Sequence, residues 1–222
     1  MKCMSLQIAT FWKDGLNNPE LFANRVNLSM DNLFNDMIET MNVPEEIPVD
    51  IPIVQKCSID KQYILNIARK RCDFIINNNI LSTGEIGGTL QRNNDLVIKY
   101  LNSILNEKEL VRVGVIITGF EENNDAIKLI VNKYFNTDNK NIKEIGFRIN
   151  VKEKLKDLEL NSIIDVSHGE LINEQLGLTK YGLVIQRDIN NVHSDVPISK
   201  TNIMDIWKFA ITKCTNKGMG EI

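Results

Sequence analysis

Hydrophobic and polar positions along the chain switch repeatedly between a period of two and periods of three and four. The stretch "SLQIATFW" sets Leu6, Ile8, Thr10 and Trp12 against Gln7, Ala9 and Phe11, the alternation of a strand buried on at least one face. After a turn at Asp14-Gly15, Asn18 is placed to cap a helix, Pro19 to occupy its first position and Glu20 to meet the positive end of its dipole. Phe22, Val26, Met30, Leu33, Met37 and Met41 then recur at spacings of three and four, with Phe34 and Ile38 widening the stripe, which predicts one helix over 20–42. Pro44, Pro48 and Pro52 impose extended backbone on a connector that follows.

Further on, "IVQKCSI" and "QYILNIA" flank Asp60-Lys61 and read as a hairpin, with "RKRCDFIIN" either a bent continuation or a new strand. The segment "NNNILSTGEIGGTLQRNND" reads as a polar, glycine-bearing loop. "DLVIKYLNSILNEKEL" puts Val97, Tyr100, Leu101, Ile104 and Leu105 on one helical face. A strand "VRVGVIITGF", a helix "NDAIKLIVNKYF" and a strand "KEIGFRINV" follow, while "KEKLKDLELN" fits either a short helix or a charged loop. "SIIDVSHGELI" and "KYGLVIQRDI" are strands joined by "NEQLGLT". Ser199 caps a last helix whose stripe is Ile203, Ile206, Trp207, Ala210, Ile211 and Cys214.

This order predicts an α+β protein with a mixed, mainly antiparallel sheet, helices covering one face, and a ferredoxin-like β-α-β-β-α-β first half. No flexible linker interrupts it, so residues 1–222 are expected to form one domain, with sub-halves 1–120 and 121–222 sharing the sheet. "RVGVII", "EIGFRI" and "KYGLVI" share a glycine in the same setting. Three such strands could be sheet neighbours and mark a duplication, or the match could be coincidence.

Composition narrows the classes. The 43% hydrophobic and 25% charged fractions are those of a folded globular chain. A net charge of -3 opposes a wholesale electrostatic grip on nucleic acid or anionic lipid. Cys3, Cys57, Cys72 and Cys214 form no C-x-x-C pair, as expected in a reducing compartment. The start lacks a secretory pattern and no apolar run approaches the roughly 18 residues of a membrane helix, so a cytoplasmic protein is expected.

The densest chemistry lies in "SIIDVSHGEL", with Asp165, Ser167, His168 and Glu170. On a strand Ser167 and His168 point to opposite faces, so no local hydrolytic trio can form, and His168 would need a distant acid such as Asp188. A metal would have to draw on His168, His193 and Asp195, or on Asp188 and Asp195, without any ligand-bearing helix motif beneath them; no metal or cofactor is expected. "STGEIGGTLQR" lacks the lysine and Ser/Thr of a phosphate loop. Arg69, Lys70 and Arg71 beside Phe74 form the one dense basic patch, which with Lys56 and Lys61 could hold a phosphate backbone or could simply protect a strand edge. The methionine-rich stripe of 20–42 suits an adaptable contact surface or a wide core-facing side.

At "RVGVII" and "GFRINV", together with the "YILNIA" hairpin strand and the long helix before it, the chain resembles a sporadically distributed group of bacterial proteins of unknown function. The resemblance covers residues 50–190 and departs at "VIITGF", where the group tends toward an Arg-Tyr-Ile-Asn ending. It implies a setting near mobile-element or phage-defence genes and carries no catalytic residues. The expectation is a non-enzymatic accessory subunit or regulator that binds another protein or itself. The alternatives are a nucleic-acid-binding component using Arg69, Lys70 and Arg71, and a hydrolase-type enzyme using His168.

Overall fold

The period-two stretches become strands of one sheet, and most of the period-three-and-four stretches become helices laid on it. The computed structural model describes residues 1–41, 44, 48–78, 84–135, 141–173 and 177–216. In chain order they form β1 (Lys2–Phe11), α1 (Pro19–Ser29), β2 (Glu39–Thr40), β3 (Val54–Cys57), β4 (Tyr63–Ile67), β5 (Arg71–Asn77) and α2 (Ile86–Arg92). There follow α3 (Asn94–Leu105), β6 (Arg112–Glu122), α4 (Ala126–Tyr134), β7 (Gly146–Leu155), β8 (Leu158–Asn173), β9 (Leu178–Asn191) and α5 (Lys200–Asn216). The strands lie in one nine-stranded sheet of order β2-β3-β4-β5-β1-β6-β9-β8-β7, and every neighbouring pair is antiparallel.

The α+β class is as the patterns predict, but the ferredoxin-like first half is not what forms. The ferredoxin-like order has only two strands between its helices. Here Ala68 N–H donates to the Arg71 carbonyl at 2.8 Å, so the polar "RK" pair closes a tight turn and β5 becomes a third strand of a meander. The first set of elements is then β1-α1-β3-β4-β5-α2-α3, with β5 returning beside β1. The second set, β6-α4-β7-β8-β9-α5, repeats that path, with β9 returning beside β6. The two sets meet through β1 and β6, and the second begins at Arg112.

All the helices lie on one face of the sheet. Leu6, Ile8 and Trp12 from β1 and its end, Phe74 and Ile76 from β5, Val115 and Ile117 from β6, and Ile185 and Ile189 from β9 point into the shared core beneath them. Burying each such side chain contributes about 1.5–3 kcal/mol before entropy is subtracted. Two hydroxyls drawn into this core are paired: that of Tyr100 donates to the Cys72 carbonyl at 3.0 Å and lies 3.0 Å from Thr10 Oγ1. Trp207 of α5 donates its Nε1–H to Asn94 Oδ1 at 3.0 Å, which ties the last helix to α3 of the first set.

Several local readings change. α1 begins as predicted, with Asn18 accepting from Leu21 N–H at 2.9 Å and Pro19 at the first position, but it ends at Ser29 rather than running to 42. Asn27 accepts the Phe34 N–H at 2.9 Å, and Asp31 and Asn32 take positive φ, so the chain reverses and Phe34 enters the core from outside the helix. Met37 and Met41 are therefore exposed, off any helix. "IGGTLQR" is helical despite two glycines because Ile86, Thr89 and Leu90 are buried and Gly87 lets α5 approach closely: a Cβ on Gly87 would sit 3.4 Å from Thr215 Cγ2. The ambiguous "KEKLKDLELN" is the β7–β8 hairpin, turning at Lys156-Asp157 with Lys156 at positive φ. Residues 79–83 and 174–176 of the "NEQLGLT" connection lie outside the described residues.

The three glycine-bearing strands are not mutual neighbours, since β8 and β9 separate β7 from β6. Their glycines also serve different ends. A Cβ on Gly182 would sit 2.2 Å from the Glu121 carbonyl oxygen and 2.6 Å from the Phe120 ring, whereas one on Gly114 would meet nothing nearer than 3.5 Å. The repeat in this chain is one of topology, not of the glycine motif.

Candidate functional site

The "SIIDVSHGEL" strand separates its own chemistry, as alternation requires. His168 lies on the helix side of β8 beside Tyr181, their rings stacked at 6.4 Å, while Asp165 and Ser167 lie on the other face. His168 pairs across the sheet with Leu183, and Asp188 lies five residues farther along β9 on the opposite face, bonded to Asn190 Nδ2 at 2.8 Å. The distant acid considered for a hydrolytic site therefore cannot reach the imidazole. His193 follows the far end of β9, roughly 30 Å along the strands from His168. Among the described residues no group of three His, Cys, Asp or Glu side chains converges on a metal position.

The basic patch is divided in the same way. Arg69 and Lys70 form the β4–β5 turn, where Arg69 Nη2 donates to the Pro44 carbonyl at 3.0 Å and Lys70 is exposed. Arg71 begins β5 on the helix-free face and meets Asp73 at 2.8 Å. Lys61 sits in the β3–β4 turn at the opposite end of the strands, paired with Asp36 at 2.8 Å, and Lys56 alternates to the helix side opposite Leu65. The turn and Arg71 stay together, but the two outlying lysines do not join them.

What replaces that patch is the helix-free face of the sheet. One row crosses it through Ile64, Ile75, Gln7, Ile116, Asp188 and Ile163, all half-buried, on six successive strands. The next row is a polar ladder: Gln55 to Asn66 at 2.7 Å on one side, and Asn190 to Asn161 at 2.9 Å and Asn161 to Lys152 at 2.6 Å on the other. Between its two sides lies the β1–β6 seam, where the small residues Ala9 and Gly114 oppose each other and are both buried. A third row follows with Phe11 beside two guanidiniums, Arg71 at 4.9 Å and Arg112 at 5.3 Å from its ring centroid. Arg112 in turn donates to Asn190 Oδ1 at 3.0 Å.

Electrostatically this face is close to balanced. Arg71 is matched by Asp73, whose carboxyl is pushed up by burial against the opposing pull of Arg71. Arg148 lies 3.6 Å from Asp165. Most charges thus stand at the margins or in pairs, and the middle is aliphatic and amide-bearing apart from Asp188, which accepts from the Asn190 amide. Phe11 and Arg112 do not stand out as site residues in the sequence because they are far from "ARKR" along the chain; only the β1–β5 and β1–β6 registers bring the three side chains together. The alternation of "SLQIATFW" does place Phe11 on the face opposite Trp12, and that is the available signal.

No family model and no curated protein matches the chain.

Proposed function

We propose that the protein is a non-enzymatic binding subunit that docks another protein on the helix-free face of its sheet, within an assembly of the mobile-element or defence kind implied by the resemblance. The observation that carries the reading is the half-buried row Ile64, Ile75, Ile116 and Ile163 on a face that, among the described residues, no helix covers. A mixed aliphatic and amide centre that holds one carboxylate, Asp188, with the other charges toward its margin has the anatomy of a protein interface. A phosphate backbone would call for unmatched cations, whereas Arg71 and Arg148 here already face carboxylates.

The test is capture of partners from the native host by the tagged protein, with and without nuclease, repeated with Ile116→Glu. A stoichiometric protein companion that survives nuclease and is lost with the variant supports the reading. Companions that vanish with nuclease, or that the variant retains, overturn it.

A second reading rests on Phe11. An aromatic ring flanked by Arg71 and Arg112, with Arg69 and Lys70 in the adjoining turn, is a surface on which a base can stack while phosphates meet guanidinium groups. It predicts salt-dependent binding of a single-stranded oligonucleotide that is lost on Phe11→Ala and on Arg69→Glu with Arg71→Glu. Binding that these changes leave intact would remove it.

A further inference from the structure

We propose that the outer edge of β7 is a second docking element, which adds an extended segment of the partner, alternating acidic and apolar residues, as a further strand of the sheet. This inference rests on the protein-binding reading and names the chemistry of the bound segment.

β7 ends the sheet, and among the described residues its outer side has no strand partner. The Ile145 carbonyl accepts the His168 N–H at 3.3 Å. The alternation of an antiparallel ladder then turns the peptide groups of Phe147, Ile149, Val151, Glu153 and Leu155 toward β8 and those of Gly146, Arg148, Asn150, Lys152 and Lys154 outward. These outward groups are a template for strand addition.

The side chains state what the added strand must carry. Arg148, Lys152 and Lys154 share the helix-free face and all three are exposed; on the β8 side Arg148 meets Asp165 at 3.6 Å and Lys154 stands opposite Glu159, while Lys152 stands opposite the neutral Asn161. Phe147, Ile149 and Val151 share the other face, where Phe147 packs on Tyr134 with ring centroids 4.4 Å apart and Val151 is exposed. The acid on that face, Glu153, is neutralised by Lys213 at 2.5 Å. Directly opposed residues contribute to pairing when their charges differ and oppose it when they match. Acidic residues are therefore required at alternate positions of the incoming strand, with apolar residues between them. A second copy fits poorly: the two antiparallel registers that use nearly the whole strand while keeping its faces matched set Arg148 opposite Lys152 or opposite Lys154.

The test uses the full chain and a capped, labelled peptide of alternating glutamate and valine, with alternating lysine and valine as control. The glutamate peptide is expected to bind at least about tenfold more tightly, with the preference shrinking as salt rises. Asn150→Pro removes an outward N–H and no backbone β7–β8 bond, giving up only the exposed side-chain bond to Asn161 at 3.2 Å, so it should abolish binding while circular dichroism and thermal unfolding change little. Lys152→Glu with Lys154→Gln should erase the preference between peptides, and serves alone if the proline variant does not fold. Equal binding of the two peptides, no binding of either, or binding unchanged in Asn150→Pro would overturn the inference. So would self-association seen by sedimentation and dissolved by Asn150→Pro, which would make the occupant a second copy. Partner capture lost with Ile116→Glu but kept with Asn150→Pro would sink the edge inference and leave the binding function standing.

Discussion

The two sets of elements follow the same path and finish it differently. In the first, the outermost full strand, β3, has four residues and is followed outward by the two-residue β2, with Pro48 and Pro52 in the chain between them. In the second, the outermost strand, β7, has ten residues and, among the described residues, is followed by nothing in the sheet. Short, proline-flanked strands blunt an edge, while a long strand keeps a row of peptide groups ready for pairing. The same topology thus yields one edge closed to strand addition and one open to it, and the difference lies in local sequence rather than in fold.

The largest expected effect tests whether the two sets are energetically one body. Trp207 is 2% exposed and bonds to Asn94 across the boundary between the sets. Trp207→Ala should cost about 3–5 kcal/mol by cavity formation and loss of that bond. Denaturant unfolding of the wild type should be a single transition by fluorescence and circular dichroism. A split into two transitions would show that the sets are stable separately and that the comparison concerns two domains.

Next in size is a contrast within β7 itself. Val151→Pro removes an N–H aimed at β8 and should cost about 1–3 kcal/mol, whereas Asn150→Pro should cost far less. Equal losses would mean that the ladder assignment, and with it the set of outward-facing groups, is wrong. Tyr100→Phe belongs to the first set only. Losing the hydroxyl shared with Thr10 and the Cys72 carbonyl should cost about 1–2 kcal/mol, read as a shift of the unfolding midpoint without a change of slope.

The sequence was most legible where one period ran long against one buried face. β1, α3, β6 and α5 all form on the stretches their apolar spacing indicated, with β1 starting earlier, at Lys2, and β6 running on to Glu122, and the alternation in "SIIDVSHGEL" correctly separated Ser167 from His168. It misled where long-range contacts decide. The apolar spacing from Phe22 to Met41 looks helical throughout, yet Asn27 and the positive φ of Asp31 and Asn32 end α1 after Ser29. Conversely, Gly87 and Gly88 suggested a loop, but the burial of Ile86 and Leu90 beneath α5 outweighs their poor helix propensity. The candidate face depended on register: no local pattern says that Phe11 will lie between residues 71 and 112.

The smallest effect concerns Asp73 on β5 and its partner Arg71, which flanks Phe11 beside the seam where the two sets meet. Burial raises the Asp73 carboxyl above its ordinary value even though Arg71 lies 2.8 Å away, so desolvation outweighs the pairing. Between the ordinary carboxylate value and the raised one, the folded chain holds a proton that the unfolded chain has released. Folding then binds protons in that window, and the contribution of this group to stability falls as pH rises through it. Asp73→Asn keeps an oxygen that can accept from Arg71 and discards the buried charge. At neutral pH the variant should be as stable as the wild type or more so by up to about 1 kcal/mol, and its urea midpoint should vary less with pH just above the ordinary carboxylate range. A variant that is instead clearly less stable at neutral pH would show that the Arg71–Asp73 pair holds the seam together. The arginine beside Phe11 would then be committed to structure, and the helix-free face would depend on its aliphatic row alone to bind a partner.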